Sequence, residues 1–189
     1  KDFSAFLLAM LVCLVVGVPL TRKKPKNKVF YIKDGCVAVA LSWLALCIFG
    51  AIPFVVSGYI PHPIDALFET VSGFTTTGSS ILSDVEVLPH CILIWRSFTH
   101  WIGGMGVLVF LLSLLPLAGG YHMNLMKAES PGPSVSKLVP KVQSTAKILY
   151  TIYFGMTLIQ LALLLIGRVP LFDSLCITFG TAGTGGFGI

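Results

Sequence analysis

Charge is scarce in this sequence. Of its 189 residues, 11% are Asp, Glu, Lys or Arg and 55% are hydrophobic, whereas a soluble domain carries about 25% charged residues. So little charge cannot cover a water-facing surface of ordinary size, which excludes a typical soluble domain and leaves lipid or partner proteins to cover the apolar surface. The net charge of +5 is then loop charge rather than a nucleic-acid footprint. CxxC pairs are absent too. Cys13, Cys36, Cys47, Cys91 and Cys176 have no histidine partners and mostly lie in apolar runs, as small buried side chains do. No paired carboxylates, nucleophile–base set or metal-ligand spacing stands out, so neither an enzyme nor a resident cofactor is expected. The first apolar run has no clear basic segment before it and no small-residue cleavage site after it. It reads as a spanning helix, not a cleaved leader. A start without Met and an end at Phe-Gly-Ile give the expectation of a segment cut at both ends.

Apolar stretches are abundant. Four run over about 3–20, 36–59, 91–117 and 148–166, each long enough as a helix to cross about 30 Å of hydrocarbon. Ten of the 13 basic residues fall in the segments after the first stretch (Arg22 to Lys33) and after the third (Lys127 to Lys147), which assigns those segments to the cytoplasm. Asp2, Asp65, Glu69, Asp84, Glu86 and Asp173 fall on the other side. Four crossings and this charge split give one consistent topology.

Two shorter apolar pieces lie on the outer side. Residues 63–74 make a helix of roughly 15–18 Å, too short to cross. Thr75-Thr-Thr-Gly-Ser-Ser80 follows it. After the fourth stretch the pattern recurs as residues 170–179 and then Gly180-Thr-Ala-Gly-Thr-Gly-Gly-Phe-Gly188. A spacing of 108 pairs Asp65 with Asp173, Thr76 with Thr184 and Gly78 with Gly186; a spacing of 107 pairs Pro63 with Pro170 and Gly78 with Gly185. The larger spacing is preferred because it keeps both Asp and Gly in step, but sequence alone leaves the register open by one residue.

Irregular backbone at membrane depth persists only where protein buries it or a water-filled path meets it. Glycine frees the backbone to aim successive carbonyls one way, and a ring of carbonyls replaces the hydration shell of a dehydrated cation. The short helix turns its partly negative C-terminal end to the same point, and outer carboxylates raise the local cation concentration. About four such strands surround an ion; two are present here.

The motifs Gly73-Phe-Thr-Thr-Thr-Gly-Ser79, Trp95-Arg-Ser-Phe-Thr-His-Trp-Ile-Gly-Gly-Met-Gly-Val107 and Thr145-Ala-Lys-Ile-Leu-Tyr-Thr-Ile-Tyr153 strongly resemble the TrkH/KtrB family of potassium transporters. Thr184-Gly-Gly-Phe187 and the connecting Gly119-Gly120 and Lys127 to Pro133 segments fit the same family. The resemblance implies four helix–pore–helix repeats around one path, a homodimer, a cytoplasmic nucleotide-binding regulatory ring and a gating loop in a third repeat. This sequence then resembles the N-terminal part of such a transporter.

The expected fold is all-α and integral to the membrane, with repeated helix–pore-helix–helix units and re-entrant selectivity-filter loops. Residues 1–33 are a first crossing and basic linker, 34–118 the first repeat, 119–147 a cytoplasmic loop, and 148–189 a second repeat reaching its filter. The expected ion-binding residues are Thr75, Thr76, Thr77 and Gly78, with Gly183, Thr184, Gly185 and Gly186. Glu69, Arg96, Asp65 and Asp173 support them. Arg96 has Glu69, Asp84 or Glu86 as candidate partners, while Glu69 either bonds amides behind the strand or faces outer water. Gly103-Gly-Met-Gly106 reads as close packing or as a flexible point in the inner helix. Potassium uptake across the cell membrane by a multi-pass protein leads, with potassium as substrate and the lipid bilayer, not nucleic acid, as surroundings. A less selective monovalent cation path and a non-conducting membrane sensor are the alternatives.

Overall fold

The computed structural model describes residues 2–22, 32–106 and 142–189. Among them are six helices and no strand: α1 (Asp2–Arg22), α2 (Ile32–Ser57), α3 (Pro63–Phe74), α4 (His90–Met105), α5 (Val142–Ile166) and α6 (Leu171–Ala182). Three are long and apolar enough to cross a membrane, over Phe3–Leu20, Cys36–Ser57 and Ala146–Ile166. These segments show apolar side chains outward, such as Leu11, Leu41 and Ile159 at 60%, 61% and 63% exposure. A chain with this much exposed hydrocarbon is stable only in lipid or against further protein.

The two short helices start for the same reasons. Pro63 and Pro170 stand at their N-termini, where a missing amide costs nothing. Asp65 and Asp173 occupy their first turns, favourably placed for the helix dipole. The ends match as well. Thr76 N–H donates to the Gly73 carbonyl and Thr77 N–H to Ser72; Thr184 N–H donates to Thr181 and Gly185 N–H to Gly180. Each pair is a Schellman closure. Helix bounds, closing bonds and left-handed residues all repeat at a spacing of 108.

Two sequence expectations need correction. The second short helix does not stop at Phe179. It continues to Ala182, because Gly180 serves close approach to the Phe187 backbone rather than helix breaking. The fourth long helix begins at Val142, inside the segment read as loop; its polar first turn carries no hydropathy signal. The third stretch is helix over the described residues His90–Met105, with Gly106 at φ 70° as the cap; the rest of it, residues 107–117, lies outside the described ones. So do the basic segments apart from Arg22, Lys33 and Lys147, and the Gly119-Gly120 and Lys127 to Pro133 motifs.

Helix α3 packs between α2 and α4 over a core of Ala51, Phe54, Ile60, Ala66, Leu88, Ile92 and Leu93. Helix α1 leans on α2, with Phe6 edge-on to Trp95. Helix α6 packs on α4 and α5. Trp101 Nε1–H donates to Thr157 Oγ1 at 3.1 Å, and Tyr153 O–H donates to the Trp101 carbonyl at 3.0 Å. Helix α4 is therefore the post against which both short helices rest.

Candidate functional site

The site lies where α3 and α6 end. Beyond each helix the chain bends through a left-handed threonine and then a left-handed glycine: Thr76 at φ 55° and Gly78 at 76°, Thr184 at 60° and Gly186 at 79°. Glycine usually fills the first of these positions, because a left-handed conformation crowds a side chain. A β-branched residue there is an outlier, and outliers of this kind cluster at functional sites. Two occur at equivalent points of the two non-helical segments after α3 and α6, which are called strands below although neither is part of a sheet.

The strands abut. A Cβ at Gly78 would run into the Gly185 carbonyl oxygen, so only glycine allows the contact. Thr75, Thr77, Thr184 and Gly186 are exposed, while Gly183 is buried. Thr75 Oγ1 donates to the Val71 carbonyl at 2.7 Å and lies 2.8 Å from Thr77 Oγ1, so these hydroxyls fix the strand's start.

Behind the strands sits a buried ion pair. Arg96 Nε–H donates to Glu69 Oε1, and the two side chains are 3% and 0% exposed. The Glu69 carboxylate also accepts from Ser80 Oγ–H at 2.9 Å and the Ile81 amide at 3.1 Å. Arg96 Nη1–H donates to the Gly188 carbonyl at 2.8 Å, and its guanidinium lies 3.7 Å over the Phe187 ring centre. Ser80 and Gly188 are equivalent at the 108 spacing. One ion pair thus grips both strands at the same station. Of the partners considered for Arg96 the structure selects Glu69, and Glu69 bonds an amide rather than water.

Asp65 and Asp173 are not brought to the strands. Each sits a helix length away, about 15 Å by helical rise, in a dipole-favouring first turn. The site residues expected from sequence leave out His100 and Phe187, whose rings lie 3.9 Å apart, centre to centre. The available signal was the spacing of Arg96 and His100, one turn apart on a helix, with an aromatic just after Gly185-Gly186. Glycines on α4 let the strands come close: a Cβ at Gly103 would meet the Phe74 backbone, and one at Gly104 the Gly183 backbone. That is close packing, as small residues provide between membrane helices.

Long apolar helices enclosing short helices with exposed ends define a multi-pass integral membrane protein. Comparison with known proteins narrows this. The profile of the TrkH family, described as cation transport protein, matches residues 2–188. The chain is 35% identical over 188 residues to the Trk system potassium uptake protein TrkH of Halomonas elongata, covering 98% of this chain and 39% of that protein. It is 37% identical over 186 residues to the protein of the same name in Escherichia coli K12, covering 97% and 38%. The crystal structure of the potassium transporter TrkH from Vibrio parahaemolyticus matches with a TM-score of 0.75 at 28% identity, covering 99% of this chain and 37% of that one. The chain belongs to the TrkH family of cation transport proteins and is a multi-pass protein of the cell membrane. It spans a little over a third of the length of the relatives it matches.

Proposed function

We propose that this chain forms part of a potassium uptake path, in which Thr75 to Gly78 and Gly183 to Gly186 supply carbonyl and hydroxyl oxygens to a dehydrated potassium ion. The observation that carries this reading is the paired left-handed threonine and glycine at the ends of two equivalent helices. Such strain is retained where the backbone must aim its oxygens, and carbonyl rings of this kind replace a hydration shell. The names of the Halomonas and Escherichia relatives support potassium as the cargo. In the full-length protein two further strands complete the ring. The protein works as a homodimer with a cytoplasmic nucleotide-binding regulatory ring, in keeping with the family resemblance, and it catalyses no covalent chemistry.

Uptake by potassium-transport-deficient cells tests the reading. Full-length protein restores growth at low potassium, and Gly78→Ser, whose side chain meets the Gly185 carbonyl, lowers potassium-over-sodium selectivity by about tenfold, the equivalent of roughly 1.4 kcal/mol. Equal uptake of both ions by the unaltered protein would favour the less selective path; no uptake of either would favour the sensor.

A further inference from the structure

His100 touches the end of α3, where the first strand begins, and the second strand. Its Nδ1 lies 2.8 Å from the Gly73 carbonyl oxygen. That oxygen can only accept, so Nδ1 carries the proton. The same carbonyl accepts the Thr76 amide at 3.1 Å, which closes the turn into the first strand. On its other side the imidazole lies against Gly185: a Cβ there would run into three ring atoms, Nδ1, Cε1 and Cγ. The His100 backbone carbonyl occupies the place a Cβ at Gly183 would take. The ring of Phe187 covers the imidazole at 3.9 Å between centres. The side chain is fully buried, and Nε2 has no partner among the described residues.

This arrangement accounts for a difference between the strands. At the 108 spacing the first strand has Thr75 and Thr77 where the second has Gly183 and Gly185. The turns are the same, so backbone conformation does not demand the change: Gly183 has φ −72°, which any residue adopts. What differs is the neighbour. The second strand lies against His100, and its two glycines make room for that residue.

We propose that His100 is a positioning residue that sets the separation and register of the two strands, and through them the selectivity of the path. Its Nδ1–H bond fixes the exit of α3, and its ring and backbone fix the second strand. The inference rests on the ion-path reading above.

The test uses full-length protein and potassium-over-sodium uptake ratios, with yield and melting temperature measured in parallel. Asn places an amide nitrogen near the Nδ1 position, and Gln places one near Nε2. His100→Asn should keep the selectivity ratio within about twofold. His100→Gln and His100→Leu should lower it by about tenfold, the factor expected for losing one buried hydrogen bond. Gly185→Ala, which pushes on the ring from the other side, should lower it as well. Where His100→Leu fails to fold, the Asn and Gln variants, each keeping an amide, decide the matter. Equal ratios for Asn and Gln, or an unaltered ratio in Gly185→Ala, would overturn the proposal. Gly78→Ser separates the two levels: if it loosens selectivity while the His100 variants do not, only this inference fails; if it too has no effect, the ion-path reading fails with it.

Discussion

Arg96 and Glu69 show how much one buried pair can hold. Each charge is removed from water, and each has its remaining valences met by strand backbone or by an aromatic face. Breaking such a pair by neutralising one partner costs about 3–5 kcal/mol, because the other charge stays buried. Arg96→Gln should therefore act first on folding, with low yield of detergent-solubilised protein and a lowered melting temperature. Glu69→Gln in the same chain should restore part of the loss. A normal yield with altered ion selectivity would contradict this assignment. From sequence the pair was visible as one arginine in an apolar run and three candidate carboxylates. The choice among the three was not visible, since it depends on α3 and α4 packing side by side. His100 was invisible as a contact for the same reason: its partners Gly73, Gly185 and Phe187 lie 27, 85 and 87 positions away along the chain.

At the scale of the element, glycine carries two meanings that composition does not separate. Gly103 and Gly73 stand where backbone or side chains of a neighbouring helix press in. Gly17 and Gly155 face open space with nothing within 4 Å. Gly155→Ala should leave transport intact and hold or slightly raise the melting temperature, since alanine favours a helix over glycine by about 1 kcal/mol. Gly103→Ala should displace the end of α3 and abolish selective uptake, because the methyl group meets the Phe74 backbone, which has no flexible end to yield. Uptake and thermal unfolding of the two variants side by side check the contrast. The same ambiguity explains the misplaced end of α6. A glycine at position 180 reads as a stop signal in sequence, while the folded chain uses it for contact and continues to Ala182. The start of α5 was missed for a different reason. Val142 to Lys147 is helical but polar, and hydropathy detects immersion in lipid rather than helix.

At the scale of the whole molecule, the charge split predicts which side of the membrane each connecting segment faces. Among the described residues a long helix followed by a short helix and its strand occurs twice, as α2–α3 and α5–α6, and the periodic apolar runs made that order readable. Single cysteines in an otherwise cysteine-free full-length protein test the sidedness. Asp84→Cys, on the exposed stretch between the first strand and α4, should react with a membrane-impermeant maleimide added outside intact cells. Lys147→Cys, near the start of α5, should react only after the membrane is opened. The reverse pattern would invert the topology.

Because α4 serves both strands, tolerance to substitution should be unevenly distributed along it. Arg96, Thr99, His100 and Gly103 stand at positions i, i+3, i+4 and i+7 of a single helical stripe, and each contacts α3, a strand or both. In a saturation mutagenesis survey that stripe should emerge as one uninterrupted line of depletion, while the lipid-facing side of α1 accepts almost any hydrophobic replacement.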